Sequence, residues 1–218
     1  MPTDVTSASE LIDADIRRAQ TLPARFYRDQ KYFEEARERI FARSWQFVAD
    51  ADRLTVPGHV VPVEILPGYL DERIVFTRDN QDKLNCVSNV CTHRGALLVE
   101  GECHSQSLRC RYHGRRFALD GQFVSTPGFE GAVDFPSKSD CLPQVPFGQW
   151  KKFLFASVDP AFELDALIGD MKRRLDWMPF DKAMFQPQLS QDYLAKANWA
   201  LYCENYLEGF HIPFVHPA

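Results

Sequence analysis

CTHRG at residues 91–95 and CRYHG at residues 110–114 are the two segments around which this sequence is organised. In each segment a cysteine is followed within three residues by a histidine, and sixteen residues separate His93 from Cys110. Cysteine thiolates are soft, anionic metal ligands, whereas imidazoles are neutral ligands. The glycine that closes each segment permits a positive φ and a close approach of the backbone. Two such loops can therefore hold a metal group between them.

The ligand set predicted from these motifs is Cys91, His93, Cys110 and His113. Two thiolates on one iron and two imidazoles on the other are typical of a Rieske-type [2Fe–2S] cluster. The neutral ligands make this cluster easier to reduce than an all-cysteine one, with potentials of roughly −150 to +300 mV. A zinc site and a Cys91–Cys110 disulfide are the alternatives. The ligand order is not that of a zinc finger, and the polar N-terminus shows no export signal that would favour a disulfide.

The composition is ordinary for a globular protein. The chain has 218 residues, of which 45% are hydrophobic and 25% charged, and its net charge is −5. An acidic chain gives no reason to expect nucleic acid as a partner. No apolar run approaches the roughly 18–20 residues of a membrane helix, so we expect no membrane partner. The polar N-terminus shows no export signal, so we expect a cytoplasmic location. The four cysteines outside the motifs are expected to be free thiols, most of them buried.

Hydrophobic periodicity predicts an α+β chain in three parts. Residues 1–44 form an N-terminal helical segment, in which Asp29 caps an amphipathic helix that continues to Trp45. Residues 45–158 form a small antiparallel all-β domain, and residues 159–218 begin another domain. Strands are predicted at residues 60–65, 73–78, 84–88, 152–158 and 192–197, a hairpin turn at 120–121, and a helix at 162–177.

A second group of metal-ligand residue types lies near the end of the chain. The spacing of Glu204, Glu208 and His211 predicts one face of a helix. Pro213 would end that helix, and the following turn would bring His216 beside His211. Two imidazoles and a carboxylate on one face of an iron leave three positions open for O₂ and water. Taken alone, however, such a pattern more often belongs to ordinary surface or core residues.

Several motifs together resemble a known family. The two cluster motifs, with Phe117 and the turn at residues 120–121, resemble the Rieske segment of Rieske non-haem iron oxygenase α-subunits. ENYLEGFHIPFVH at residues 204–216 resembles the catalytic iron motif of the same family, in the same order along the chain. The resemblance implies a Rieske domain at residues 45–158 and the beginning of an α+β helix-grip catalytic domain at 159–218. The family usually has tryptophan where this chain has Arg115.

The resemblance also implies residue roles. His211 and His216 correspond to two ligands of a mononuclear Fe(II). Glu208 corresponds to the acid that bridges this iron to a Rieske histidine of a neighbouring subunit, matched here by His113. Asn205 corresponds to a residue near the iron. The family's third iron ligand is a carboxylate far downstream, with no counterpart here, so the catalytic domain is expected to be incomplete.

The implied function is that of a terminal oxygenase component. An NAD(P)H-dependent reductase or a ferredoxin would donate electrons to the [2Fe–2S] cluster, which would pass them to Fe(II). The iron would activate O₂ for hydroxylation or oxidative demethylation of a small organic substrate, with a lean toward quaternary ammonium compounds or aromatic acids. The complete protein is expected to be a homotrimer, and the isolated chain to be inactive as an oxygenase. The alternative is a Rieske ferredoxin-type electron carrier.

Five arginines surround the cluster motifs in this acidic chain. They admit two interpretations, solvated loop charge or a docking surface for an acidic electron-donor protein. They are Arg94, Arg109, Arg111, Arg115 and Arg116.

Overall fold

The computed structural model describes residues 12–216, which divide into two compact units. One unit comprises residues 37–189 and contains all the strands of the described chain. The other combines residues 12–36 with residues 190–216 and is helical. The expectations for residues 1–11 and 217–218 lie outside the described residues. Within the described range, none of the helices is long and apolar enough to cross a membrane.

Ten strands in residues 37–189 form three antiparallel sheets, which confirms the predicted α+β fold with a small antiparallel domain. The sheet orders are β1–β10–β9, β4–β3–β2–β5 and β6–β7–β8. The strands are β1 (Gln46–Asp50), β2 (His59–Ile65), β3 (Glu72–Arg78), β4 (Leu84–Ser88), β5 (Cys103–His104), β6 (Leu108–Arg109), β7 (Arg116–Phe117), β8 (Phe123–Ser125), β9 (Phe147–Trp150) and β10 (Phe153–Ala156).

The central strand β3 is buried on both faces because side chains alternate across a strand. On one face Val75 joins a core cluster that also contains Cys91 and Cys110. On the other face Ile74 and Phe76 join a second cluster. The sheet β4–β3–β2–β5 therefore lies between two apolar cores, and one of them supports the cysteines of the predicted cluster.

The two motif loops emerge from strands. Residues 91–95 follow β4, and an isolated bridge between Val90 and Leu97 closes this loop. Residues 110–114 connect β6 to β7, whose residues Arg109 and Arg116 pair directly. The predicted hairpin turn at residues 120–121 is confirmed, since it connects β7 to β8. Both loops are thus fixed at their two ends by backbone pairing.

The helices are α1 (Ala24–Arg28), α2 (Gln30–Ala36), α3 (Leu164–Leu175), α4 (Trp199–Leu207) and α5 (Ile212–Val215). The helix predicted at residues 162–177 is confirmed as α3, and its Leu164 and Ile168 are buried in a core cluster with Trp150 and Phe155. Asp29 caps α2 as predicted, because its carboxylate accepts the Lys31 N–H at 3.0 Å.

Two predicted elements differ from the structure. The N-terminal helix does not run uninterrupted to Trp45, because α2 ends at Ala36 and a π-helical turn follows at Arg37–Phe41. Residues 192–197 form no strand. Their side chains Tyr193 and Leu194 are 83% and 97% exposed, and an apolar run becomes a strand only where a neighbouring strand supplies hydrogen bonds and burial.

Candidate metal centre

The two motif loops have the same backbone hydrogen bonds although their sequences differ. In the first, the Gly95 N–H donates to the Cys91 carbonyl at 3.0 Å, and the Cys91 N–H donates to Ala96 at 2.8 Å. In the second, Gly114 donates to Cys110 at 3.0 Å, and Cys110 donates to Arg115 at 2.8 Å. Each turn places its cysteine and glycine at equivalent positions.

The closing glycines have left-handed backbone conformations, as predicted. Gly95 has φ +70° and Gly114 has φ +77°, which strain any residue with a side chain. A Cβ at Gly114 would also lie 3.4 Å from the ring of Pro127. Glycine is therefore required at both positions for the tight turn that directs the ligand side chains.

The predicted ligands are brought together in two pairs. Cys91 and Cys110 are each 2% exposed and belong to one core cluster, whereas His93 and His113 are exposed. The two imidazole rings lie 4.8 Å apart between centroids. All six cysteines are free thiols, so no Cys91–Cys110 disulfide forms in this structure. The thiols thus face the core and the imidazoles face solvent.

The electrostatic surroundings differ between the thiol pair and the imidazole pair. Burial raises the pKa of the Cys91 thiol, and the hydrogen-bonded Cys110 thiol raises it further, while the Arg115 charge acts in the opposite direction. Partial desolvation and the nearby His113 ring lower the pKa of His93. A lowered pKa keeps this imidazole neutral at neutral pH, and the neutral form is the one that binds a metal.

This donor set matches the ligands that a two-iron cluster needs. A [2Fe–2S] cluster needs only two protein ligands on each iron, because two sulfides complete each coordination sphere. One thiol pair and one imidazole pair provide that set. The assignment of Cys91, His93, Cys110 and His113 as ligands remains a prediction.

Arg115 does not belong to the basic surface expected around the loops. It is 4% exposed, and its guanidinium donates to Thr92 Oγ1 at 2.7 Å and to Asp140 Oδ1 at 2.9 Å. The guanidinium also lies over the rings of Phe123 and Phe135. The expectation of surface charge at Arg115 is therefore wrong, because a charged partner and two aromatic faces make its burial possible. The other four arginines of the set are exposed: Arg94, Arg109, Arg111 and Arg116.

Thr92 and Asp140 were not found by sequence reasoning. Thr92 stands between two predicted ligands, and its hydroxyl donates to the Asp140 carbonyl at 2.9 Å. Hydrogen bonds from Ser137 and Arg115 hold the pKa of Asp140 below its usual range. The one signal in the sequence was arginine at the family's tryptophan position, which pointed to altered packing at this place without identifying the partners.

The second predicted site has a different local structure from the expected helix face. The helix α4 ends at Leu207, and Glu208 is extended, with φ −106° and ψ 150°. Glu208 and His211 therefore do not share a helical face with Glu204, because Gly209 is a weak helix former just beyond the break. Pro213 lies in the first turn of α5 and so begins a helix instead of ending one.

His211 and His216 are nevertheless adjacent, as predicted, with 5.6 Å between their ring centroids. His211 Nδ1 lies 2.5 Å from Glu208 Oε1, and this hydrogen bond lowers the pKa of Glu208. Glu204 instead accepts hydrogen bonds from the Tyr27 hydroxyl at 2.8 and 2.9 Å. Asn205 is exposed on α4. The structure thus joins Glu208 and the two histidines, and their roles remain predictions.

The remaining cysteines are less buried than expected. Only Cys86 of these four is buried, and burial raises the pKa of its thiol. Cys141 is half-buried, while Cys103 and Cys203 are exposed. The expectation that most of them are core residues is therefore wrong.

Comparison with known proteins finds a family match that spans both motif loops. Residues 44–144 match the family model of the Rieske [2Fe–2S] domain. These residues thus match the Rieske domain, and the chain is similar in sequence to Rieske oxygenase subunits. The matched range includes both cluster loops and the strands that support them.

The curated relatives include carnitine and choline monooxygenases. The chain is 33% identical over 210 residues to the carnitine monooxygenase oxygenase subunit of Escherichia coli (strain K12), covering 94% of this chain and 54% of that one. It is 27% identical to the chloroplastic choline monooxygenase of Arabidopsis thaliana, covering 92% and 49% respectively. The chain thus spans about half the length of these curated relatives.

Solved structures show the same fold similarity. The quaternary ammonium Rieske monooxygenase CntA in complex with L-carnitine matches with a TM-score of 0.78 and 26% identity, over 91% of this chain and 56% of that chain. Naphthalene 1,2-dioxygenase from Rhodococcus sp., bound to indole, matches with a TM-score of 0.72 and 26% identity, over 90% and 46%.

Proposed function

We propose that this chain is the cluster-bearing part of a Rieske oxygenase terminal component. The observation that carries the proposal is the pair of matching loops, which join two buried thiols and two exposed imidazoles beside a common core. Cys91 and Cys110 would hold one iron of a [2Fe–2S] cluster, and His93 and His113 the other. When bound, the cluster would supply one-electron redox chemistry at this place in the fold.

The residues around the loops would control how electrons enter. His93 and His113 face solvent, so an electron donor can approach the imidazole side without displacing the core. The exposed arginines Arg94, Arg109 and Arg111 would attract an acidic partner, such as a ferredoxin or an NAD(P)H-dependent reductase. Burial of the thiol side keeps water away from Cys91 and Cys110.

The second unit would contribute to a mononuclear iron site. His211 and His216 would be two of its ligands, and a carboxylate outside residues 1–218 would be the third. Glu208 would position His211 through their hydrogen bond and would face His113 of a neighbouring subunit in a homotrimer. Inter-subunit electron transfer is described for the related CntA structure, and this supports the arrangement. Asn205 would lie near the iron.

The proposed substrate is a small quaternary ammonium compound, as the names of the relatives suggest. Carnitine and choline monooxygenases are among the relatives in sequence, and CntA has been solved with L-carnitine. The reaction would be O₂-dependent hydroxylation or oxidative demethylation. Large exposed side chains on and after α4, including Tyr206, Leu207 and Phe210, support the proposal that this unit packs against further parts of a catalytic domain.

Iron and sulfide analysis tests the cluster. After anaerobic reconstitution, we expect two irons and two sulfides per chain and a Rieske-type electron paramagnetic resonance signal on reduction. Cys110→Ser should abolish the signal, because a hydroxyl is a poor substitute for a thiolate ligand. Cys103→Ser is the matched control, since Cys103 is exposed and outside both loops, and it should retain the signal. A colourless protein that binds one zinc would contradict the proposal.

The bridging role of Glu208 is tested in a chain that carries a complete catalytic domain. Glu208→Gln should leave the cluster spectrum intact. It should uncouple turnover, because electron transfer from the cluster to the mononuclear iron would be impaired. Full turnover by this variant would remove the bridging role. Iron content distinguishes the alternative: a ferredoxin-type carrier has two irons, whereas a complete oxygenase has three.

A further inference from the structure

Arg115, Thr92 and Asp140 contact one another in a closed ring of hydrogen bonds that connects the two cluster loops. We call these three residues the loop clamp. Arg115 directly follows the second loop, and its carbonyl accepts the Cys110 N–H at 2.8 Å. Its side chain reaches the first loop, where Nη1 donates to Thr92 Oγ1 at 2.7 Å. Nη2 donates to Asp140 Oδ1 at 2.9 Å, and the Thr92 hydroxyl donates to the Asp140 carbonyl at 2.9 Å.

Arg115 is the buried member of the loop clamp, and Asp140 is held by further hydrogen bonds from outside it. The side chains of Arg115 and Asp140 are 5% and 19% exposed. The other carboxylate oxygen of Asp140 accepts hydrogen bonds from the Ser137 N–H at 2.8 Å and the Ser137 hydroxyl at 3.0 Å. The guanidinium carbon of Arg115 lies 5.1 Å from the centroid of the Phe123 ring. Two acceptors and two aromatic rings therefore hold the guanidinium in place.

We propose that the loop clamp positions the two cluster loops against each other and sets the reduction potential of the cluster through its two opposite charges. This inference rests on the proposed [2Fe–2S] site. The positioning follows from geometry: the side chain of Arg115, the residue after the second loop, contacts Thr92, the residue between Cys91 and His93. A planar guanidinium that donates from two nitrogens to two different residues fixes direction as well as distance, which a single ammonium group cannot do.

The effect on the potential follows from charge. Reduction adds one negative charge to the cluster, so a nearby buried cation favours the reduced state and a buried anion disfavours it. Arg115 and Asp140 therefore act in opposite directions. Removing the arginine charge should lower the potential, whereas removing the aspartate charge should raise it. A residue that mattered only for folding would not give shifts of opposite sign.

The test is a redox titration of the full chain, followed by electron paramagnetic resonance, for Arg115→Met, Asp140→Asn and the double variant. We expect a lower reduction potential for Arg115→Met and a higher one for Asp140→Asn. The double variant should have a potential close to that of the unaltered chain. Arg116→Met is the matched control: it removes the same charge from the next residue, which is exposed, and screening by water and salt should leave its shift smallest. Single-variant shifts of the same sign, or none beyond the control, would overturn the charge role.

Arg115→Lys separates positioning from charge. Lysine keeps the positive charge but lacks the planar guanidinium with its two terminal donor nitrogens. The reduction potential should therefore stay close to that of the unaltered chain, while a chelator should remove iron faster. An unchanged rate of iron loss would overturn the positioning role. If Arg115→Met does not fold, Asp140→Asn decides the charge role alone, and anything but a rise contradicts it. An unaltered chain without a Rieske signal would refute the proposed function itself.

Discussion

At the residue scale, surroundings decide what a charged side chain does. Arg115 and Arg116 are neighbours in the chain, yet the first is buried in the loop clamp and the second is exposed on β7. Burial of a charge is costly unless it is paired and hydrogen-bonded, and Arg115 meets both conditions. The same rule applies to Asp79, which is 8% exposed at the turn between β3 and β4.

Asp79 organises that turn with its carboxylate. It accepts hydrogen bonds from the Gln81 N–H at 3.0 Å, the Lys83 N–H at 2.9 Å and the Asn85 side-chain amide at 3.0 Å. Burial raises the pKa of Asp79, but these hydrogen bonds outweigh it and hold the pKa below its usual range. The stability contributed by the carboxylate is therefore present above its unfolded-state pKa of about 3.9 and is lost as the pH falls through the lower folded-state value.

We expect Asp79→Asn to lower the free energy of unfolding at pH 7 by about 1–3 kcal/mol, because the Asn85 amide then loses its acceptor. Urea unfolding at several pH values should show that the difference in free energy of unfolding between the variant and the unaltered chain becomes smaller as the pH falls below about 4. Asp82→Asn in the same turn is the control, since its side chain is 69% exposed, and it should change stability by less than about 0.5 kcal/mol. A gap independent of pH would contradict the ionic role of Asp79.

At the element scale, turns bring strands of different sheets onto one core. The β7–β8 turn contains Gly121, with φ +86°. A Cβ there would lie 2.9 Å from Val87 Cγ1 and 3.3 Å from Leu142 Cβ. Val87 and Leu142 belong to the core cluster that contains Cys91 and Cys110, so this turn packs directly on the support of the cluster loops.

Gly121→Ala should therefore lower the free energy of unfolding by more than conformational strain alone would. Gly68→Ala is the matched control, because Gly68 has φ +77° and nothing lies within 4 Å of its added Cβ. We expect about 1–2 kcal/mol of destabilisation for Gly68→Ala from the left-handed conformation. We expect about 1–3 kcal/mol more for Gly121→Ala from overpacking. Urea unfolding measures the stability of both variants. Equal losses of stability would show that the core rearranges to accommodate the extra methyl group without overpacking.

At the scale of the whole molecule, charge is unevenly distributed. The chain has a net charge of −5, yet exposed arginines surround the loops that present His93 and His113. Local surface charge governs the approach of a charged reductant more strongly than net charge does, because salt screens charges beyond about 8–10 Å. The sign of the field at the cluster should therefore be opposite to that of the chain as a whole.

Stopped-flow reduction with small reductants measures that field without a protein partner. Added salt should slow reduction by anionic dithionite and speed reduction by a cationic viologen radical. Arg111→Glu with Arg116→Glu should weaken or reverse both trends, whereas Arg173→Glu on the exposed side of α3 is the control and should leave them unchanged. Opposite salt trends in the unaltered chain would exclude a basic docking surface at the cluster.

Local sequence determined the parts of this protein that depend on neighbours in the chain. The ligand types and spacings of the two motifs indicated the cluster, and the short β-branched and aromatic run of β3 with its polar turn indicated a strand and its end. The closing glycines of the loops indicated positive φ. These features follow from backbone stereochemistry and metal preference, which operate over a few residues.

Tertiary structure decided what depends on distant residues. Arg115 is buried because Thr92 and Asp140, which are 23 and 25 residues away in the chain, supply its acceptors. Tyr193 and Leu194 form no strand, since β structure requires a partner strand that local sequence does not specify. Hydrogen-bond partners and burial arise only when separate segments pack together, and motif spacing contains no information about that packing.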